Sequence, residues 1–507
     1  MSRATWALAW VLLLAATVVS YRFVFDLGFT DTDAWADYRA AGQSWAHQLT
    51  MPLTDGVGGA NANFFRPTAN LHFKLLRTLF GDWALGWQAW DLGLHLACVV
   101  LLGLVVRAAG GGPRTALLAG GLAALHPLGV EVVPAVARNI DLLLSLLVLG
   151  SALALLRGRW VVAALLGLLA LGCKETAVAL MPLALLFAWR RGGRDGALRL
   201  GVPWLIGGVA FLALRSFVLS GLGGYDPQPI DPVGLERVLR TAVLEHAAPG
   251  WAAPLAGWSW PAQLALGVLA SIFVLYGIHR VRRMGTGLTG AALFLAPLLL
   301  YGLVGLYNRR LLYLTTLGWS VLLATWIVRD RHMRLPALLG VAFLLPHTPL
   351  WHQDEDWARN DAVTRSMEAN REELAALPAG TVVWVLDRCL RVHTDPVRQK
   401  WWGDTSQNNC VGFYSLQAWV DEFHDLQLMR LSLVQPTSPM LAAEVEVDDE
   451  GFTVTRDAGK RSVYKAAREA GWEIDEGGDS WHFSLPEHDG EFVIVLGGAK
   501  AQLLPIP

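Results

Sequence analysis

Two carboxylates one residue apart, Asp31 and Asp33 in Phe29-Thr30-Asp31-Thr32-Asp33-Ala34-Trp35, follow an apolar N-terminal stretch. An aspartate so placed can act as a general base, drawing a proton from an acceptor hydroxyl or amine while its neighbour positions the acceptor. The local alternative is that one of them caps the helix that begins at Asp33. Downstream, Phe64-Phe65-Arg66-Pro67-Thr68 sets a guanidinium beside two aromatics, a group suited to bidentate phosphate contact. An ion pair of Arg66 with Asp31 or Asp33, or a side chain snorkelling to an interface, accounts for the same residue.

More ionisable residues stand at the edges of apolar blocks. His126 and Glu131 close one block, Arg138 and Asp141 open the next, Lys174-Glu175 opens another, and Arg309-Arg310 lies between two more. A charge near hydrocarbon costs about 2 to 3 kcal/mol or more, so such residues persist where they pair, meet water or bind something. Arranged at one depth, they would form a charge-balanced floor under the loop that carries the aspartates, with bases able to hold a phosphate. Structural ion pairs, Glu131 with Arg138 and Lys174 with Glu175, are the competing reading. His72 and His95, near the same edge, read as hydrogen-bonded helix residues rather than catalysts.

The elements that must position these groups are membrane helices. The chain has 507 residues, 54% of them hydrophobic and only 17% charged, with the apolar residues massed before Leu350. A span takes about 20 apolar residues, which gives about eleven spans: 4–21, 88–106, 115–133, 140–156, 160–173, 176–189, 199–219, 262–278, 287–306, 311–328 and 335–349. They are apolar all round rather than alternating, which disfavours a barrel. Arg3, Arg107, Arg157, Arg159, Arg190, Arg191, Arg194, Arg280 and Arg329 fall on one side of that topology, which therefore reads as cytoplasmic. The first span reads as an uncleaved anchor. The near-neutral net charge of -2 argues against a nucleic-acid partner.

Residues 1–350 thus read as a transmembrane domain, with 22–87 as its first extracytoplasmic loop. Within that loop, Asp33 to Leu49 reads as an amphipathic helix, and Asp55 to Gly59 as a flexible link rather than a phosphate loop. Residues 351–377 read as a charged connecting helix and 378–507 as an extracytoplasmic α+β domain. Its strands are expected at Thr381 to Asp387, Phe452 to Arg456, Trp481 to Leu485 and Phe492 to Leu496, and its helices at Ser415 to Met429 and Ser462 to Ala470. Cys389 and Cys410 fall there, where an oxidising compartment permits a disulfide between them.

The ordered set of motifs carries a resemblance. Arg66-Pro67, Leu94-His95, His126-Pro127-Leu128-Gly129-Val130-Glu131, Ala137-Arg138-Asn139-Ile140-Asp141, Lys174-Glu175-Thr176, Arg310-Leu311-Leu312-Tyr313 and Trp357-Ala358-Arg359-Asn360 follow the Asp-bearing loop in sequence. In that order they resemble the GT-C glycosyltransferases, most closely the O-mannosyltransferases with transmembrane and tetratricopeptide-repeat regions and their bacterial counterparts. The resemblance covers roughly Phe23 to Asn370. It implies a GT-C-like α-helical polytopic membrane enzyme of the bacterial inner membrane, N-terminus cytoplasmic and C-terminal domain periplasmic. Such an enzyme moves a sugar, a hexose such as mannose, from a polyprenyl-phosphate donor to an acceptor protein, lipid or glycan. The first-loop acid expected as base maps onto Asp31 or Asp33, and Arg66, Arg138, Lys174, Arg309 or Arg310 would stabilise the leaving lipid phosphate. No cofactor is expected, and a divalent metal is not required. Here Thr32 separates acids that are often adjacent in the relatives, and the repeats are replaced by the α+β domain. A lipid-linked-sugar transporter or flippase, or a non-catalytic assembly protein, are the alternatives.

Overall fold

A computed structural model describes residues 2–29, 34–50, 64–219, 243, 245–246, 260–304, 309–350, 365, 368–379 and eight strands between Thr381 and Pro505. They divide into two compact units, Met1–Asp26 with Ala41–Asp354, and Leu27–Ala40 with Glu355–Pro507. In chain order the helices are α1 (Arg3–Ser20), α2 (Ala34–Ala40), α3 (Trp45–Gln48), α4 (Pro67–Phe80), α5 (Ala84–Ala108), α6 (Pro113–Ala124), α7 (Asn139–Leu156), α8 (Trp160–Cys173), α9 (Met181–Leu219), α10 (Trp260–Val281), α11 (Gly285–Val304), α12 (Tyr313–Arg329), α13 (Arg334–Leu344) and α14 (Arg371–Ala375).

The first unit is helical. Among the described residues, five segments are long and apolar enough to cross a membrane: Arg3–Ser20, Ala84–Ala108, Val136–Leu156, Glu175–Leu219 and Gly285–Leu303. At the centre runs α12, buried at every residue from Tyr313 to Trp326. It approaches α11 closely because both helices present glycine: a Cβ on Gly318 would stand 2.4 Å from the Phe294 backbone nitrogen. Small residues at a crossing let backbones meet where lipid supplies no hydrophobic drive between helices. The Trp326 indole nitrogen then donates to the Gly277 carbonyl of α10 at 3.0 Å.

Several sequence expectations need correction. The apolar stretch 115–133 is not one helix: α6 stops at Ala124, and the chain continues as 3-10 turns at Pro127–Glu131 and Val136–Arg138. Pro127 explains the stop, since its ring pushes His126 out of helical geometry, to φ −66° and ψ 133°. The stretches 176–189 and 199–219 remain two helical arms, as expected, and meet within α9 at Gly193, whose φ of 61° is open to glycine and strained for other residues. The two arms fold back on each other, so that a Cβ on Gly196 would meet the Ala188 carbonyl at 2.8 Å and one on Gly201 would meet Leu185 at 3.1 Å.

In the first loop, Asp33 to Leu49 is two short helices rather than one amphipathic helix. The break falls at Gly42, and Ser44 restarts the chain by accepting from the His47 backbone at 3.2 Å. The sequence reading also passed over α4, which starts on Pro67 and buries Ala69, Asn70, His72, Phe73 and Leu76 on one face.

In the second unit, Phe29 packs on Trp35 and Tyr38 of α2, with ring centroids 4.5 and 5.6 Å away. Its strands are β1 (Val382–Asp387), β2 (Gln427–Ser432), β3 (Ala443–Asp448), β4 (Gly451–Arg456), β5 (Glu473–Gly477), β6 (Ser480–Ser484), β7 (Phe492–Leu496) and β8 (Gln502–Pro505). One sheet has the order β2-β1-β7-β8, parallel across β2-β1-β7 and antiparallel at β8; the other, β3-β4-β6-β5, is antiparallel throughout. The helix expected to reach Met429 is overturned at its end, where Gln427 to Met429 form β2. Glu444, Glu446 and Asp448 alternate in sequence with Ala443, Val445 and Val447 along β3.

Candidate functional site

An ionic cluster in the helical unit forms where α8 ends. Lys174 leaves the helix in extended geometry, φ −160° and ψ 141°, and Glu175 at once begins a 3-10 turn, Glu175–Leu180. The change of conformation sends the two adjacent side chains to different partners. Lys174 Nζ donates to Asp141 Oδ1 at 2.5 Å. Asp141 lies in the first turn of α7, where the helix dipole favours a carboxylate. Glu175 is held from two sides: Oε2 accepts from Arg66 Nε at 3.1 Å and Nη2 at 2.8 Å, and Oε1 accepts from Arg215 Nη1 at 2.8 Å. Arg66 precedes Pro67 at the start of α4, and its guanidinium lies over the Phe64 ring at 4.1 Å. Tyr301 of α11 donates to the Thr176 hydroxyl at 3.4 Å, adding a further element to the turn.

Burial decides which member meets an incoming molecule. The side chains of Arg66, Lys174, Asp141 and Arg215 keep 11%, 9%, 5% and 8% of their exposure, whereas Glu175 keeps 34%. The cluster therefore opens at Glu175. Desolvating each ion costs several kcal/mol, which close geometry and mutual attraction offset, so the arrangement is fixed rather than fluid. Guanidinium forks match carboxylate and phosphate oxygens alike, so a phosphate brought to Glu175 would compete for the donors that grip it.

Of the residues singled out in the sequence, Arg66, Asp141, Lys174 and Glu175 come together here. The expected Lys174–Glu175 pair is replaced: Lys174 holds Asp141, and Glu175 holds the two arginines. His126 belongs elsewhere. Its Nδ1 accepts from the Leu128 backbone at 3.2 Å, and its ring lies 5.9 Å from that of His246, whose Nε2 is 2.9 Å from the Thr315 hydroxyl. Glu131 and Arg138 are half-buried at the ends of the two 3-10 turns. Arg309 and Arg310 begin a 3-10 turn, and their side chains lie outside the described residues. Asp31, Asp33, Cys389 and Cys410 also lie outside the described residues.

His95 ties three elements together. Its Nδ1 meets the Tyr313 hydroxyl at 2.6 Å and its Nε2 the Ala124 carbonyl at 3.2 Å, joining α5, α6 and α12. His72 is buried beside Trp90, and burial pushes its imidazole down to about 4. Arg215, Tyr301 and His246 escaped the sequence reading. For Arg215 a signal existed, a lone cation in an apolar run, which demands a partner. Among the described residues, no three His, Cys, Asp or Glu side chains converge as a metal set.

No family model matches the chain, and no curated protein does. Among solved structures, the chain is similar to the Archaeoglobus fulgidus oligosaccharyltransferase tethered by a disulfide bond to an acceptor peptide containing the NVT sequon, at 11% identity. The alignment covers 82% of this chain and 64% of that one, so the chain spans under two thirds of that protein's length, with a TM-score of 0.39.

Proposed function

We propose that this chain is a membrane glycosyltransferase of the GT-C type, moving a hexose from a polyprenyl-phosphate donor to an acceptor on the extracytoplasmic face of a bacterial inner membrane. The observation that carries the reading is the clamp of Arg66 and Arg215 on Glu175 beside the Lys174–Asp141 pair. It gathers cations from separate helices, at helix ends, around a carboxylate open to an incoming group. The ordered motifs from Arg66-Pro67 to Lys174-Glu175-Thr176 support the same reading.

In the reaction the acceptor oxygen attacks the sugar's anomeric carbon as the bond from that carbon to the phosphate oxygen breaks, with inversion. Asp31 or Asp33 takes the acceptor proton. The leaving lipid phosphate keeps the electron pair of the broken bond, and Arg66, Arg215 and Lys174 stabilise its growing charge, the kind of preorganised electrostatics that supplies much of an enzyme's rate. Glu175 yields donors to the phosphate, and Asp141 holds Lys174 in place. Arg138, Arg309 and Arg310 are further cations assigned to the phosphate side.

The test is to reconstitute the purified protein in vesicles with a radiolabelled polyprenyl-phosphate hexose and an extract of candidate acceptors. A transferase releases polyprenyl phosphate and labels an acceptor. A flippase moves the labelled lipid across the bilayer with its sugar–phosphate bond intact, and that result would replace this reading.

A further inference from the structure

A separate feature of the helical unit points to a second ligand. A groove of about 150 Å³ runs between α7, α8, α9 and α11, walled by Val148, Gly167, Met181, Ala184, Trp204 and Leu293 among others. Two lining residues, Leu183 and Leu186, are 39% and 49% exposed, so the groove opens onto the outside of the bundle. A groove lined this way by apolar side chains suits an apolar ligand.

The lining has one charged side chain, Arg190, and it stands exposed at one end. That end is far from the ionic cluster. Arg190 comes 15 residues after Glu175 in the sequence, about 22 Å at helical rise. Around it the chain turns at Gly193, and Arg157, Arg159, Arg191, Arg194 and Arg199 are exposed too, with Asp195 as the carboxylate among them. Among the described residues these side chains form no ion pair; Arg191 instead lies 6.0 Å from the Phe187 ring. An apolar slot thus ends in a rim of cations.

We propose that groove and rim together bind an anionic phospholipid of the surrounding bilayer. One acyl chain lies in the slot along the first arm of α9, and the phosphate meets Arg190 and the neighbouring arginines. A donor polyprenyl phosphate, which the proposed function places with its phosphate at the ionic cluster, would enter from the Ala177 end and leave Arg190 unengaged, so the charge at the far rim favours a lipid with its own headgroup there. The site takes no part in the transfer reaction; only the exclusion of the donor lipid rests on that reading.

The test uses the full chain in nanodiscs of phosphatidylglycerol or of phosphatidylcholine, with thermal unfolding and native mass spectrometry of retained lipid. Phosphatidylglycerol should be retained preferentially and raise Tm above its value in phosphatidylcholine. Each arginine facing an anionic headgroup is worth about fivefold in affinity, so Arg190→Gln with Arg191→Gln should remove most of the preference. Ala184→Phe, which fills the slot, should lower retention of either lipid. If that variant fails to fold, the two exposed arginine substitutions still decide. Equal Tm in both lipids, an unchanged preference in the double variant, or a polyprenyl phosphate as the retained lipid would overturn the proposal.

Discussion

The Lys174–Asp141 pair is the part of the cluster whose worth can be read residue by residue. Both side chains are nearly buried, and Asp141 Oδ2 has no hydrogen-bond partner among the described residues, so the carboxylate depends on the lysine. Lys174→Met should therefore destabilise the protein by about 3 to 5 kcal/mol, whereas Lys174→Met combined with Asp141→Leu should recover much of the loss, because no charge is left stranded. Thermal unfolding of the two variants in one detergent checks the cycle. His72 gives a prediction in pH. In the folded chain its imidazole titrates at about 4 rather than 6.5, so below 6.5 the unfolded chain binds a proton that the folded chain refuses. The protein should hold full stability from this group above pH 6.5 and lose it progressively toward pH 4. His72→Gln should flatten that part of a Tm-against-pH curve, and an unchanged slope would count against burial as the cause.

Among the helices, the α11–α12 contact is sensitive to a single side chain. Gly318→Leu would drive carbon into the α11 backbone and should lower Tm sharply or block folding, while Gly340→Leu, with nothing within 4 Å of its Cβ, should behave as wild type. Expression level and Tm of the pair measure the difference. The elements themselves were largely legible: apolar runs such as 140–156 and 160–173 coincide with α7 and α8, and Phe492 to Leu496 with β7. Hydrophobic content marks such segments directly. What it conceals is where they stop or turn. One apolar run hid the break before Pro127, and α4 was missed because its apolar residues are interrupted by Asn70, His72 and Lys74. The pairings of the cluster were less legible still, since Arg66 and Glu175 meet across 109 positions and no local pattern records that contact. Lys174 beside Glu175 in sequence suggested the wrong pair, because the change from helix to extended backbone between them separates their side chains.

For the molecule as a whole, a helical unit with several segments fit to cross a bilayer suits the proposed transfer from a lipid-borne sugar. In the proposed reaction the acid and the phosphate-holding cations come from separate stretches of chain, which predicts distinct kinetic signatures. Arg66→Ala removes a donor for the leaving phosphate and should lower kcat by about 10² to 10³, with the acceptor KM little changed, in steady-state transfer assays. The most direct test of the central claim is release of polyprenyl phosphate from a labelled polyprenyl-phosphate hexose by purified wild-type protein and by the Asp31→Asn, Asp33→Asn double variant. Release coupled to labelling of an acceptor is expected from the wild type, and its loss from the variant. No release by the wild type, or full transfer by the variant, would contradict it.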